Sequence, residues 1–235
     1  TATATISESG DNPAAVVQAN PTAGFSLITY TGTGDAGTIA HGLGAVPTMM
    51  IIKNRDVADA WAVYHGANTA APATDYLVLN TTAATADAAT YWADTAPTSS
   101  VFTVHDAHSV NADGEAYVAY VFADVEGYSK MGGYVGNNAA DGTFVYLGFR
   151  PAWIMIKRSN ATEHWHILDN KRDPFNFVDI ELWASLPNGE SSGTERGDFL
   201  SNGFKIRGNN AGYNTSHNYI YMAFAEVPFK YANAR

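Results

Sequence analysis

Short apolar and aromatic runs, interrupted every few residues by Gly, Asn, Asp or Pro, make up most of this chain. Runs of that length, rich in Val, Ile, Tyr, Phe and Trp, predict strands. They fall at residues 25–31, 49–53, 61–65, 76–79, 101–105 and 116–122. They recur at 134–135, 153–157, 165–168, 180–183, 204–207 and 219–224. Asp113-Gly114 and Asp141-Gly142 mark hairpin turns, because Gly takes positive φ without steric cost. The best helical segment by propensity, 83–89, holds only Ala, Thr and Asp, so it has no apolar stripe to bury. The pattern predicts an all-β protein.

Residues 180–184 alternate partly, as a strand with one wet face does. Residues 49–52, 117–122, 154–156 and 219–224 are instead apolar or aromatic on both faces. Their outer sides are expected to be covered by a sister unit, a loop or another subunit.

The runs also repeat. Gly24-Phe25-Ser26 returns as Gly127-Tyr128-Ser129, and Tyr30-Thr31-Gly32 as Tyr134-Val135-Gly136. Pro47, Lys53 and Trp61 match Pro151, Lys157 and Trp165, each 104 residues later. Phe102 matches Phe204 and Phe122 matches Phe224 at a spacing of 102. A unit of about a hundred residues is the size of a small β-sandwich. We therefore expect two duplicated antiparallel β-sandwich units, jelly-roll-like and packed together, at 24–126 and 127–235. Residues 1–23 have no counterpart and are expected to form an extended arm or linker. Trp61, Trp165, Phe122 and Phe224 are the predicted core anchors.

The charge is uneven. Residues 1–126 carry thirteen acidic and two basic side chains, Lys53 and Arg55, whereas 127–235 carry ten acidic and eleven basic, for a net −10. Such an acidic first half argues against a nucleic-acid partner. No apolar run reaches membrane-spanning length, so no membrane insertion is expected. Cysteine is absent, which excludes disulfides and thiolate chemistry. The first residue is Thr rather than Met, so a chain processed or excised from a longer one is expected.

Candidate chemistry is sparse. No phosphate-binding loop, dinucleotide motif, zinc-protease helix or nucleophile elbow occurs. Asp56, Asp59, Asp113 and Asp141 sit at turns, where carboxylates serve the backbone. His164 and His166 share a strand face and are weak candidates for a metal, though the repeat places Ala60 and Ala62 there. Asp106, Asn111, Asp113 and Glu115 have the composition of a calcium loop but not its spacing. Asn170, Arg172, Asn210, Tyr213, Asn214 and His217 cluster in predicted loops and are the candidate ligand-binding residues. Amides and aromatic rings suit sugar hydroxyls and apolar sugar faces.

The segments Gly24–Ser26, Thr29–Gly32, His41–Gly44, Ile51–Arg55 and Trp61–His65, with Gly127–Lys130, Gly148–Ala152, Ile156–Arg158, Asp198–Lys205 and Tyr221–Glu226, resemble a phage-associated domain of unknown function. That domain occurs in fibre-like virion proteins of marine and cyanobacterial phages. The resemblance covers about residues 24–231 and leaves the amino-terminal arm outside. It implies a non-enzymatic virion component, a tail fibre or appendage, assembled in the host cytoplasm as a homo-oligomer, with a trimer expected. Its partners would be its own copies, other virion proteins and a host-surface glycan; no cofactor is implied. Two alternatives remain open: a decoration or tube-forming protein that binds only its neighbours, and a polysaccharide depolymerase.

Overall fold

The computed structural model describes residues 2–192 and 196–227. It divides the chain into two units. The first runs through Leu79 and resumes from Thr85 to Asp124; the second takes Asn80–Ala84 and the chain from Val125 on. Nearly all regular structure is β, in antiparallel sheets, none closed into a barrel.

The first unit contains β1 (Ala2–Ile6), β2 (Ala15–Asn20), β3 (Phe25–Thr31), β4 (Gly37–Ala40), β5 (Met49–Asn54), β6 (Trp61–His65), β7 (Asp75–Val78) and β8 (Ala86–Asp87). A one-turn helix α1 (Ala89–Trp92), β9 (Val101–Val104), a second one-turn helix α2 (His108–Asn111) and β10 (Ala116–Phe122) complete it. Its large sheet has the order β1-β2-β3-β10-β5-β6-β7-β8, and β4-β9 forms a ribbon. Alternation sets the core: Tyr117, Ala119 and Val121 of β10 point inward, aligned with Asn54, Ile52 and Met50 of β5. Ile39, Phe102 and Val104 of the ribbon close the same core from the second layer.

The second unit contains β11 (Ser129–Val135), β12 (Asp141–Tyr146), β13 (Pro151–Arg158), β14 (Trp165–Asp169), β15 (Glu181–Trp183), β16 (Gly197–Leu200), β17 (Gly203–Arg207) and β18 (Asn218–Ala225). Its sheets are β11-β18-β13-β14-β15 and β12-β17-β16. The order β3-β10-β5-β6-β7 is thus reproduced, and the ribbon β4-β9 reappears as β12-β17. Each unit is a β-sandwich of unequal layers.

The repeated letters now acquire physical reasons. Tyr30 stacks on Tyr117 at 5.0 Å and 14°, and Tyr134 stacks on Tyr219 at 5.1 Å and 10°. The four hydroxyls donate to the carbonyls of Val110, His108, Tyr213 and Ala211 respectively. Gly32 and Gly136 are required by close approach: a Cβ there would lie 2.1 Å from the Ala112 oxygen and 2.0 Å from that of Thr215. Asn111 and Asn214, both fully buried, use their amides to hold the loops at Thr33–Asp35 and 137–139.

Three expectations need correction. Residues 2–20 are not an arm. Strands β1 and β2 extend the first unit's sheet beyond β3, and Ala15, Val17 and Ala19 enter its core. Phe122 and Phe224 are only half-buried, because they lie on the faces opposite Val121 and Ala223. Phe122 packs on Phe25, and Phe224 on Tyr128 and Trp153. The matched tryptophans diverge as well. Trp165 is 2% exposed, whereas Trp61 is half-buried and stacks on Tyr120.

The surroundings of the cross-strand lysines show why. Lys157, opposite Trp165, is fully buried and donates to the carbonyls of Thr82 and Glu163 at 3.2 and 2.8 Å. Burial lowers its pKa to about 8. Lys53, opposite Trp61, stays half-buried and bonds only to carbonyls of its own turn, Asn54 and Val57.

The outer faces differ in the same sense. Met155, Ile220 and Met222 are buried in the second unit, but Ile51, Val118 and Tyr120 of the first are half-buried.

Candidate functional site

The duplication allows one unit to be subtracted from the other. Where the scaffold is the same and the chemistry differs, the difference belongs to one copy, either as its own way of packing or as a site. Two places in the second unit stand out.

The first lies at the ends of β13 and β14. Here the Asn170 N–H donates to the Ala152 carbonyl at 2.9 Å, as Gly66 N–H donates to Thr48 at 2.8 Å in the first unit. In the first unit the His65 Nδ1 caps the Ala67 N–H at 3.2 Å. In the second, Asp169 takes that position, and its Oδ1 accepts from Lys171 N–H and Arg172 N–H, both at 2.9 Å. Its other oxygen binds the Arg172 guanidinium. The carboxylate therefore builds the turn that presents Lys171 and Arg172.

Ala152, Trp153, Asp169, Asn170, Lys171 and Arg172 line an open recess of about 460 Å³. Trp153 is half-buried against Phe224, so part of its indole is available to a ligand. The matched residues of the first unit are Met49, which is fully buried, and His65, Gly66, Ala67 and Asn68. At this corner the second copy places an indole beside an amide, a carboxylate and two cations, where the first has Met49, His65, Gly66, Ala67 and Asn68.

The second place is buried. His166 replaces the matched Ala62, and its Nδ1 lies 2.9 Å from Glu181 Oε2. Arg196 and the Tyr213 hydroxyl bind the same Glu181 carboxylate. Glu163 Oε1 lies 3.6 Å from His166 Nε2, and Gly212 leaves room for that ring edge. Trp183 Nε1 also approaches His166 Nδ1, at 3.1 Å. Nδ1 serves one partner at a time, and a protonated ring donates to the carboxylate in preference.

Burial pulls the His166 pKa down, but Glu163 and Glu181 outweigh it and leave it raised. The Glu163 pKa is lowered to about 2, chiefly by the neighbouring His166 ring. Burial raises the Glu181 carboxyl, and His166, Tyr213 and Arg196 together bring it below its ordinary value. This arrangement is a closed ion-pair network with its charges compensated inside.

The sequence candidates separate accordingly. Asn170 and Arg172 come together at the recess. Tyr213 and Asn214 are buried and structural, because their polar atoms complete the network and the loop peg described above. Asn210 forms a turn, accepting from Gly212 N–H at 2.8 Å. His217, half-buried, contacts Asn160 at 3.2 Å. His164 pairs with Ser185 at 2.9 Å while His166 faces Glu181, so the two rings serve different partners. Among the described residues no group of three or more His, Cys, Asp or Glu is arranged to hold a metal.

Asp56 accepts from Ala116 N–H, Asp59 pairs with His108, and Asp141 with Lys205. The sequence reading did not single out Trp153 or Glu181 for chemistry. Position-by-position comparison of the repeats carries the signal for both.

A duplicated, all-β double sandwich, with a tryptophan-lined cationic recess in its second copy, is the class that fold and site define. The chain belongs to the family described as domain of unknown function DUF7483, whose model matches residues 1–228. That match takes in both units and the amino-terminal hairpin, which the sequence resemblance had left outside. No curated protein and no solved structure matches the chain.

Proposed function

We propose that this chain is a non-enzymatic structural and adhesion module of a phage virion, a fibre or tail appendage that contacts host-surface sugars through the recess of the second unit. The observation that carries the sugar contact is the recess itself. A partly exposed indole offers a stacking face, and Lys171 and Arg172 bring cationic groups beside it. A binding role is supported over hydrolysis by the state of the lining carboxylate. Asp169 is committed to two backbone N–H groups and to Arg172, which leaves no free carboxylate at the indole. The virion context rests on the sequence resemblance. Weak single sites suit an oligomeric fibre, where linkage multiplies affinity.

The test is a glycan array probed with the intact chain and with Trp153→Ala. Binding by the first and its loss in the second are expected. Retained binding by the variant would move the site elsewhere, and turnover of a bound polysaccharide would replace adhesion by depolymerisation.

One feature favours the second reading, a decoration protein that binds its neighbours. Phe144 and Tyr146 project from β12 with 43% and 61% exposure, and β12 is the edge strand of its sheet. Under that reading Phe144→Ser with Tyr146→Ser abolishes self-association in light scattering while glycan binding survives.

A further inference from the structure

We infer that the recess selects sugars carrying a single negative charge, such as a uronic acid residue, with Lys171 as the residue that reads the charge. This rests on the sugar-binding reading above and names the class of sugar.

Asp169 and Arg172 neutralise one another, and Glu190, which does not line the recess, lies 3.4 Å from the same guanidinium. Asn170 donates its amide to Glu226 at 3.1 Å, and Glu226 is held in turn by Arg150 at 3.0 Å. Lys171 differs. Its backbone N–H binds Asp169, but its ammonium has no hydrogen bond or ion pair among the described residues, and the side chain is exposed. Among the lining residues, Lys171 thus presents an unpaired ammonium near the indole.

A cation left free at a concave site gains most from an anionic ligand group, through a charge-assisted hydrogen bond. Stoichiometry distinguishes among anions. A carboxylate carries one charge and is matched by one ammonium. A phosphate monoester carries nearly two and is best met by a bidentate guanidinium, but Arg172 is already occupied by Asp169. The indole takes the apolar face of the sugar ring, and the Asn170 amide lies at the same wall.

The first unit supplies the contrast. At the position of Lys171 it has Ala67, and at that of Trp153 a buried Met49. The matched corner there has neither the charge nor the ring.

The experiment titrates the intact chain with tetragalacturonate and with its methyl ester, which keeps the shape and removes the charge. Galactose 6-phosphate is a third probe. The wild type is expected to bind the acid about tenfold more tightly than the ester, the size of one charged hydrogen bond. Lys171→Gln should erase that ratio by weakening the acid alone. Trp153→Ala should weaken both ligands.

Equal affinity of the wild type for acid and ester overturns charge selection while leaving sugar binding intact. A phosphate preference, or an unchanged ratio in Lys171→Gln, also overturns it. Failure to bind either tetramer while the array detects neutral glycans overturns the uronate assignment alone. Failure on every glycan overturns the sugar reading with it.

Discussion

The two units share a frame and differ in what they bury at the same register. In the first, Ala62 of β6 sits opposite Val78, and the neighbouring space is filled by rings: Tyr64 meets Trp92 edge-on at 6.0 Å, and Tyr76 stacks on Tyr91 at 3.7 Å. In the second, His166 sits opposite Trp183, and Glu181, Arg196, Tyr213 and Glu163 converge on it. One copy is held by hydrocarbon and π contacts, and the other by compensated charge. A sandwich interior accepts either, provided every buried charge finds its partner. The conserved parts lie elsewhere, in the stacked tyrosines, the close-approach glycines and the asparagine pegs.

The sharpest way to break this contrast is to remove the carboxylate at its centre. Glu181→Ala strands Arg196, protonated His166 and the Tyr213 hydroxyl together, and should cost about 3–5 kcal/mol in chemical denaturation. The register partner in the first unit, Tyr76→Leu, loses one ring pair and should cost about 1 kcal/mol. Comparable losses at the two positions would end the contrast.

The matched tryptophans come next. Trp165→Ala should cost about 3–5 kcal/mol, as for a fully buried indole, and half-buried Trp61→Ala about 1–2 kcal/mol. Equal losses would mean that the two corners are packed alike.

The smallest effect is the pH response, read as melting midpoint against pH. The His166 pKa is raised in the fold, so its contribution is complete below its ordinary 6.5 and fades as pH rises through the raised value. The Glu163 pKa is lowered, so its contribution is complete above its ordinary 4.5 and fades as pH falls toward about 2. Below the range in which Lys157 titrates, near pH 8, the second unit is expected to be most stable between about 4.5 and 6.5, and Glu163→Gln should flatten the acid side. A midpoint insensitive to pH across both limbs would mean that the network contributes no net stability.

Much of this was legible in one dimension. The strand runs, the 104-residue spacing and the pairing of Tyr30 with Tyr134 and Gly32 with Gly136 stand in the letters, because alternation and close approach restrict residue type locally. Residues 1–23 lack a repeat partner, so the duplication gives no guide to their place in the sheet. Yet Ala15, Val17 and Ala19 are buried in alternation with exposed Val16 and Gln18 and form a strand edge-on to β3. Half of the recess was legible, in Asn170 and Arg172. The rest was not, because Trp153 and Asp169 lie sixteen residues apart in sequence and meet only through the β13–β14 register. Tyr213 and Asn214 have the composition of a binding loop, and only burial shows that they serve the interior.

Strand periodicity, the copied unit and the lack of thiol chemistry follow from local sterics and composition, which each residue carries with it. Which polar groups face a ligand and which face each other was decided by packing. A carboxylate takes its role from its partners: those of Asp169 are the next residues of its own turn, whereas those of Glu181 are brought together by packing from distant parts of the chain. Asp169 and Glu181 are both acids near a strand end. One shapes an open turn at the recess, and the other anchors a closed network.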